Sequence, residues 1–385
     1  MSAAASARTR DEYAKILARL MAREPLGAAD VRGAFEAILS GAWTPVQVGA
    51  FAVSLRMNGE TVDTIVGAAE AMRAAMAVVD HGLPVVVDTC GTGGDGSHTL
   101  NISTGAALVV AACGQPVAKH GNRSASSKAG SADVFEVLGI PLDIPAARQG
   151  EILREVGIVF LFAQAHHPAL RHAAQARSEL GTRTIFNALG PLANPARATH
   201  QLIGVYSEDL RPLVAEALAR LGSTRAWVVH SEDGLDEVSP CVPTRVSELT
   251  SVGAGASASA NESASANESV GVGVGANAGT TRVREMVVTP EDFGLSRLAR
   301  SAIAGGDVEY NVRALLAILS GEPHPARDAV ILNAAAALVV ATGEAPRACA
   351  ERARSALEGG AALATLERWR VVARRVRAEA ERVAP

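Results

Sequence analysis

Apolar positions along this chain follow two rhythms, which change over near residue 80. Tyr13, Ile16, Leu17 and Leu20 recur at helical spacing. Val31, Phe35 and Ile38 share one face of a helical segment over 29–39. A third helix is predicted from Pro45, since proline suits a first turn, to residue 57. A fourth is predicted over about 62–79, with Gly59 as breaker and Thr61 as cap. No clear strand falls within 11–80. A small all-helical domain is therefore expected over 1–80, with residues 1–10 unstructured.

From residue 85 short apolar runs take over, at 85–87, 116–118, 159–162, 202–205 and 226–229. Helix-like stretches such as 145–157 and 208–221 separate them. This alternation predicts a large α/β domain over 81–385, a mostly parallel central sheet surrounded by helices. Ligands in such sheets bind beyond the carboxyl ends of the strands. Towards the end the chain reads as helical: a helix capped by Asn311 and running to 319, a buried Ala-rich one over 328–342, and two over 345–383 broken at Gly359-Gly360. The alternating Arg and Glu of that last pair read as a solvated face.

Two stretches break the alternation. Residues 165–195 open on His166-His167-Pro168, with proline early in a helix. Adjacent helical histidines point about 100° apart, so a two-histidine metal site is disfavoured and a packing or wall role is favoured. Residues 252–279 contain SASANE twice and are rich in Gly, Ala and Ser. Such a segment buries too little surface to offset its ordering entropy and is expected to be a disordered, low-complexity insert.

The chemistry concentrates in VVVDTCGTGGDGSHTLNIST and the KHGNRSASSK that follows. Gly91, Gly93, Gly94 and Gly96 fall between an apolar run and the Ala-rich run 106–112, with Asn101 and Ser103 placed as caps. Strand, glycine loop and helix N-terminus form an anion site, because free N–H groups and the positive dipole end face the ligand. Gly91, Gly93 and Gly96 also satisfy G-x-G-x-x-G, but three features oppose a dinucleotide: no helix opens at the second glycine, the next apolar run ends on Lys119 rather than an acid, and Asp95 sits inside the loop. Lys119, His120, Asn122, Arg123, Ser124 and Lys128 supply donors and cations suited to a phosphate ester, though a solvated basic loop is the plainer account of such a cluster. Asp233, Asp236 and Glu237 follow another apolar run. Magnesium takes one or two carboxylates plus substrate phosphates, so Asp236 and Glu237 suit it; an acidic loop in water is the default otherwise.

Composition narrows the class. The 385 residues are 48% hydrophobic with net charge −4, which suits a large globular core and leaves no nucleic-acid or membrane footprint. The four cysteines form no C-x-x-C pair, against a zinc site or disulfide framework. No basic-then-apolar leader opens the chain and no apolar run approaches a membrane span, so a cytoplasmic setting is expected.

The ordered motifs GTGGDG, NIST, KHGNR and GSADVFEVLG, with 165–195 and DGLDEVSP at 233–240, resemble the anthranilate phosphoribosyltransferases of tryptophan biosynthesis over nearly the whole chain. The resemblance implies a nucleoside phosphorylase-like phosphoribosyltransferase fold. It also implies transfer from 5-phosphoribosyl 1-pyrophosphate (PRPP) to the amine of anthranilate. Carried onto this chain, PRPP falls to Gly91, Gly94, Asp95, Thr99, Asn101, Ser103, Thr104, Lys119 and Ser131. Anthranilate falls to Gly91, Asn122, His167, Arg177, Gly190 and Pro191. Arg177 would meet the anthranilate carboxylate; without the resemblance, a surface ion pair with Glu179 would be preferred. Ser103 joins Asp236 and Glu237 around magnesium, two ions per monomer, and His120 is either a proton acceptor or a wall of the pocket. The resemblance further implies a homodimer through the helical domain, return of part of 165–195 to that domain, and paired strands at 244–249 and 283–290, which puts the insert at a hairpin tip. Two rivals share the fold. A pyrimidine nucleoside phosphorylase would carry KHST before the glycines, where this chain has Thr89-Cys90; a nucleic-acid-binding relative would lose the acidic pair and gain a basic surface.

Overall fold

The computed structural model describes residues 3–124, 128–252, 268–272 and 280–383. Helices α1 (Ala3–Met21), α2 (Ala28–Leu39), α3 (Pro45–Asn58) and α4 (Val62–Ala75) come first. α1 begins well inside the stretch expected to be unstructured, because AAASAR is rich in alanine, the strongest helix former. α3 opens on a reciprocal cap: Thr44 Oγ1 accepts from Gln47 N–H and the Gln47 side chain accepts from Thr44 N–H. Phe51 takes Phe35 and Trp43 nearly edge-on, at 6.2 and 5.5 Å between ring centroids.

The α/β part runs β1 (Val87–Gly91), α5 (Ile102–Ala112), β2 (Val117–Gly121), α6 (Ser131–Val137), α7 (Ala146–Val156), β3 (Ile158–Phe162), α8 (Ala163–His166), α9 (Arg171–Leu180) and α10 (Ile185–Ala188). It continues with β4 (His200–Gly204), α11 (Leu210–Arg220), β5 (Arg225–Ser231), β6 (Thr244–Val252), β7 (Glu268–Val272) and β8 (Thr280–Val288), and closes with α12 (Val308–Leu319), α13 (Arg327–Thr342), α14 (Pro346–Glu358) and α15 (Ala361–Val383). The sheet order is β3-β2-β1-β4-β5-β6-β8-β7, parallel from β3 to β5 and antiparallel beyond. β1 leads outward to β2 on one side, while the chain later returns to lay β4 on its other side; the sheet's switch point is therefore β1/β4.

Alternate residues of each strand feed opposite layers. Leu202, Trp227 and Val229 face the layer holding α5 and α13, the latter buried from Ala329 to Val340. Ile203, Ala226 and Val228 face the other, where α11 shares one apolar core with Phe35 and Phe51 of the helical part and with Ala173, Ile185 and Phe186 of the 165–195 stretch.

Several elements differ from expectation. β1 and β2 run on through Asp88-Thr89-Cys90 and Lys119-His120, which read as loop because they are polar; inside the protein the Cys90 thiol donates to Asp88 Oδ2 and Lys119 Nζ donates to the Thr89 carbonyl. Asp307, not Asn311, caps α12, its Oδ1 accepting from Tyr310 N–H at 2.8 Å, while Asn311 is buried one turn later. His166 ends α8, and Pro168 opens a single turn before α9. The pairing of β6 with β8 appears as expected, with Val252 opposite Thr280. Within the insert, residues 268–272 form β7 against β8, so that part is not structureless; 253–267 and 273–279 lie outside the described residues.

Candidate active site

The glycine loop is shaped by steric need. Gly93, Gly94 and Gly96 have φ of 67°, 76° and 74°, the left-handed region that side chains resist. Gly91 is required by close approach instead: a Cβ there would lie 2.5 Å from Asp236 Oδ2. At the end of β4, a Cβ on Gly204 would lie 1.6 Å from the Asp236 carbonyl oxygen. The 233–237 turn is thus pressed onto the ends of β1 and β4. Asp236 Oδ2 accepts from Gly93 N–H (2.7 Å), and Glu237 Oε1 accepts from Ser103 N–H (3.1 Å). A carboxylate therefore sits at the N-terminus of α5, where a ligand phosphate was expected. Asn101 occupies the cap position without capping: Nδ2 donates to Ala129 O and Oδ1 accepts from Asn311 Nδ2. Thr104 Oγ1 is buried with no partner among the described residues.

Lys119 is not a free loop cation. It is buried, and Nζ donates to Thr89 O and to Ser103 Oγ (3.3 Å). Arg123 is neutralised by Asp133 and Glu136, each at 2.8 Å. Lys128 is exposed. Ser126 and Ser127 of the same KHGNRSASSK stretch lie outside the described residues.

The other end of the cleft is aromatic. His120 Nδ1 donates to Gly190 O (2.9 Å), which leaves Nε2 as the ring's lone pair. That Nε2 is buried without a partner among the described residues, and so is His167 Nε2, with the two rings 5.1 Å apart. Burial pushes His120 down to about 3 and His167 to about 4, so both are neutral at pH 7. Arg177 is exposed as a residue, but the cleft walls crowd its guanidinium and lower its pKa. It stacks over Phe186, 5.6 Å from the ring centroid. No ion pair to Glu179 forms; Glu179 accepts from Gln175 instead.

One cavity of about 380 Å³ joins the two ends. Gly91, Gly94, Asn101, Ser103, Thr104, Lys119, His120, Asn122, Ser131, His167, Arg177, Gly190, Pro191, Asp236 and Glu237 all line it. Asp95 and Thr99 do not. Asp95 turns back to Ser97, accepting from its N–H (3.1 Å) and hydroxyl (2.5 Å), and Thr99 pairs with Ala304. Sequence reasoning missed Met72, Leu170, Phe186 and Asn187 in the lining. Phe186 and Asn187 lie inside the 165–195 motif and were within reach; Met72, on α4, carries no local signal.

Residues 14–76 match the family model described as "Glycosyl transferase family, helical bundle domain". Residues 83–265 and 258–363 match "Glycosyl transferase family, a/b domain". The anthranilate phosphoribosyltransferase of Myxococcus xanthus (strain DK1622) is 46% identical over 347 residues, 90% of this chain and 94% of that protein. That of Rhodospirillum rubrum is 47% identical over 362 residues, 94% of this chain and 95% of its own. The chain belongs to the anthranilate phosphoribosyltransferase family. Among solved anthranilate phosphoribosyltransferases, that of Thermus thermophilus superposes with a TM-score of 0.81 at 38% identity, covering 93% of this chain and 99% of that one. The Saccharomyces cerevisiae protein in complex with PRPP and Mg gives 0.80 at 26% identity, covering 94% and 98%. The same yeast protein in complex with 4-fluoroanthranilate gives 0.78 at 25%, covering 94% and 99%.

In this member of the family the acidic pair is electrostatically strained. Asp236 is held well above the usual carboxylate range by burial, then by Asp95 and Glu237 beside it. Glu237 is raised to about 7, also by burial, with Lys119 pulling the other way. Crowded carboxylates of this kind fit a cation site, since a bound cation favours their charged forms. Among the described residues no three Asp, Glu, His or Cys side chains converge on one point. The donor set therefore fits magnesium shared with a ligand phosphate rather than a cage made by protein alone.

Proposed function

We propose that this cleft transfers the phosphoribosyl group of PRPP to the amine of anthranilate, giving N-(5-phosphoribosyl)anthranilate and pyrophosphate, the second step from chorismate to tryptophan. One observation carries the reading: a single cavity has N–H groups, a buried hydroxyl and two carboxylates at one end, and a guanidinium stacked on an aromatic ring at the other. The glycine loop and Thr104 bind phosphate oxygens, and Lys119 adds positive charge below them. Asp236 and Glu237, with Ser103, would hold magnesium, which neutralises charge on the leaving pyrophosphate; we propose two ions per monomer. The yeast relative solved in complex with PRPP and Mg supports PRPP and magnesium as the ligands.

Arg177 takes the carboxylate of anthranilate as a planar fork, against the wall of Phe186, Gly190 and Pro191. The His120 Nε2 lone pair accepts from the amine N–H and aims its nitrogen at the anomeric carbon. The C–N bond forms as the bond from that carbon to pyrophosphate breaks, and the surplus proton leaves nitrogen for His120 or water. An arylamine is neutral at pH 7, so a weakly basic histidine suffices. Catalysis rests on orientation and charge placement. Asp95 and Thr99 act from outside the lining, through the shape of the loop.

We assign a helical unit over 1–80, joined by part of 165–195, and a unit over 81–385; the core that Phe35 and Phe51 share with Ile185 and Phe186 supports the return of 165–195, and Val214 of α11 and Val228 of β5 carry that core across into the second unit. We also assign a homodimer through the helical unit, where Met21, Val46 and Met57 are each at least 75% exposed. A sedimentation mass of one chain at micromolar concentration would contradict it. No described helix is long and apolar enough to cross a membrane, and four free thiols suit a reducing cytoplasm. The deciding assay follows anthranilate fluorescence with PRPP, protein and magnesium, then with chelator. The expected result is a magnesium-dependent loss of signal; a folded protein giving none overturns the proposal.

A further inference from the structure

β1 and β2 stop sharing their ladder after one register position, Val87 opposite Val117, whereas the other parallel pairs keep five. A continued parallel ladder would next join Thr89 to Ala118 and His120. Side chains take three of those four main-chain groups instead. His120 N–H donates to Asp88 Oδ1 (3.1 Å), Ala118 O accepts from Asn194 Nδ2 (2.8 Å), and Thr89 O accepts from Lys119 Nζ. Asp88 is the hub of this substitute ladder. Its Oδ2 also accepts from Asn194 Nδ2 (2.7 Å) and the Cys90 thiol (3.2 Å). It is fully buried and does not line the cavity. Through His120 it reaches Gly190 O, and through Asn194 it holds the turn that follows Pro191.

We propose that Asp88 is a positioning residue for the acceptor half of the cleft: its carboxylate takes the His120 N–H that the ladder leaves free and holds Asn194, which takes Ala118 O, so that β1 and β2 stay apart where the cleft opens and His120 and the 190–194 turn are fixed. The inference rests on the reading of the cleft given above. Three donors converge on this carboxylate, so an amide in its place turns its own NH2 group toward one of them.

The test is Asp88→Asn, with steady-state kinetics for anthranilate and calorimetric binding of PRPP with magnesium. Displacements of about 1 Å cost on the order of 100-fold, so kcat/KM for anthranilate is expected to fall about 100-fold with a raised KM. PRPP affinity is expected to stay within about threefold, because the glycine loop and α5 take no bond from Asp88. A merely structural role would weaken both substrates together, and that result overturns the inference, as does a variant with unchanged anthranilate kinetics. If Asp88→Asn does not fold, Asn194→Ser removes a donor from the same carboxylate without altering charge. It is expected to raise the anthranilate KM about tenfold at unchanged PRPP affinity, and an unchanged KM overturns the inference. A wild-type protein without turnover removes the functional reading and this inference together; turnover with a silent Asp88→Asn removes the inference alone.

Discussion

Gly204→Ala tests how the acidic pair is held. The added Cβ would sit 1.6 Å from the carbonyl oxygen of Asp236, 2.2 Å from its carbonyl carbon and 2.9 Å from its Cα. Ordinary contact begins at 3.4 Å, so the 233–237 turn has to retreat by the difference, about 1.8 Å. The obstacle is backbone, and no rotamer relieves it. Strain from such overpacking costs about 1–3 kcal/mol, enough to lower Tm without unfolding the protein. The chemical cost is larger, because a misplacement of about 1 Å can remove 100-fold in rate. The half-saturating magnesium concentration should rise more than about tenfold, and kcat should fall about 100-fold. The anthranilate KM should stay within about twofold, since Arg177 and Pro191 line the far end of the cavity. Titrating magnesium at saturating PRPP, with anthranilate varied separately, checks each term. A folded Gly204→Ala protein with wild-type magnesium dependence would refute the argument that this turn is seated by the missing side chain.

Other outcomes follow from the same geometry. Glu237 is raised to about 7 in the fold, so its protonation stabilises the native state: that contribution is complete below the ordinary carboxylate pKa of about 4.5 and is lost as pH rises through about 7. The metal-free protein should therefore lose thermal stability between pH 5 and 8 more steeply than the Asp236→Asn, Glu237→Gln double variant, and equal slopes would contradict the assignment. Arg177→Ala should raise the anthranilate KM about 10- to 100-fold with kcat nearly unchanged, the loss of a charged hydrogen bond of about 1.5–3 kcal/mol; a kcat effect alone would place Arg177 elsewhere in the mechanism. Joining Val252 to Thr280, which face each other across β6 and β8, through a two-residue turn should leave kcat/KM within about twofold. A larger loss in a folded variant would give the 253–279 segment a role in activity.

The helical unit was legible because its signals are local. Thr44 before Pro45 and Thr61 before Val62 cap their helices within four residues, and Phe35 and Ile38 declare one face by spacing alone. The helix at Ala3 was missed by giving small residues no weight, although alanine propensity was in plain view. The expected ends of β1 and β2 fell short for a different reason. Lys119 and His120 read as loop, and Asp88 fell beyond the apolar run, because their main partners lie far off in sequence: Thr89, Gly190 and Asn194. Asn311 was misread similarly, since its partner Asn101 is 210 residues away.

Residue order by itself determined that a glycine loop follows a strand, that adjacent acids follow another, and that an arginine lies within a helix, and motif order tied these to one family. Each depends on chain neighbours. Only the tertiary structure decided which cations are available: Arg123 is spent on Asp133 and Glu136, while Lys119 is buried against Thr89 and Ser103. It alone placed Glu237 on the N-terminus of α5 and left Thr104, His120 and His167 each with a buried atom lacking a partner among the described residues. Those properties arise from desolvation and from contacts between strands far apart in the chain, and neither leaves a trace in local spacing.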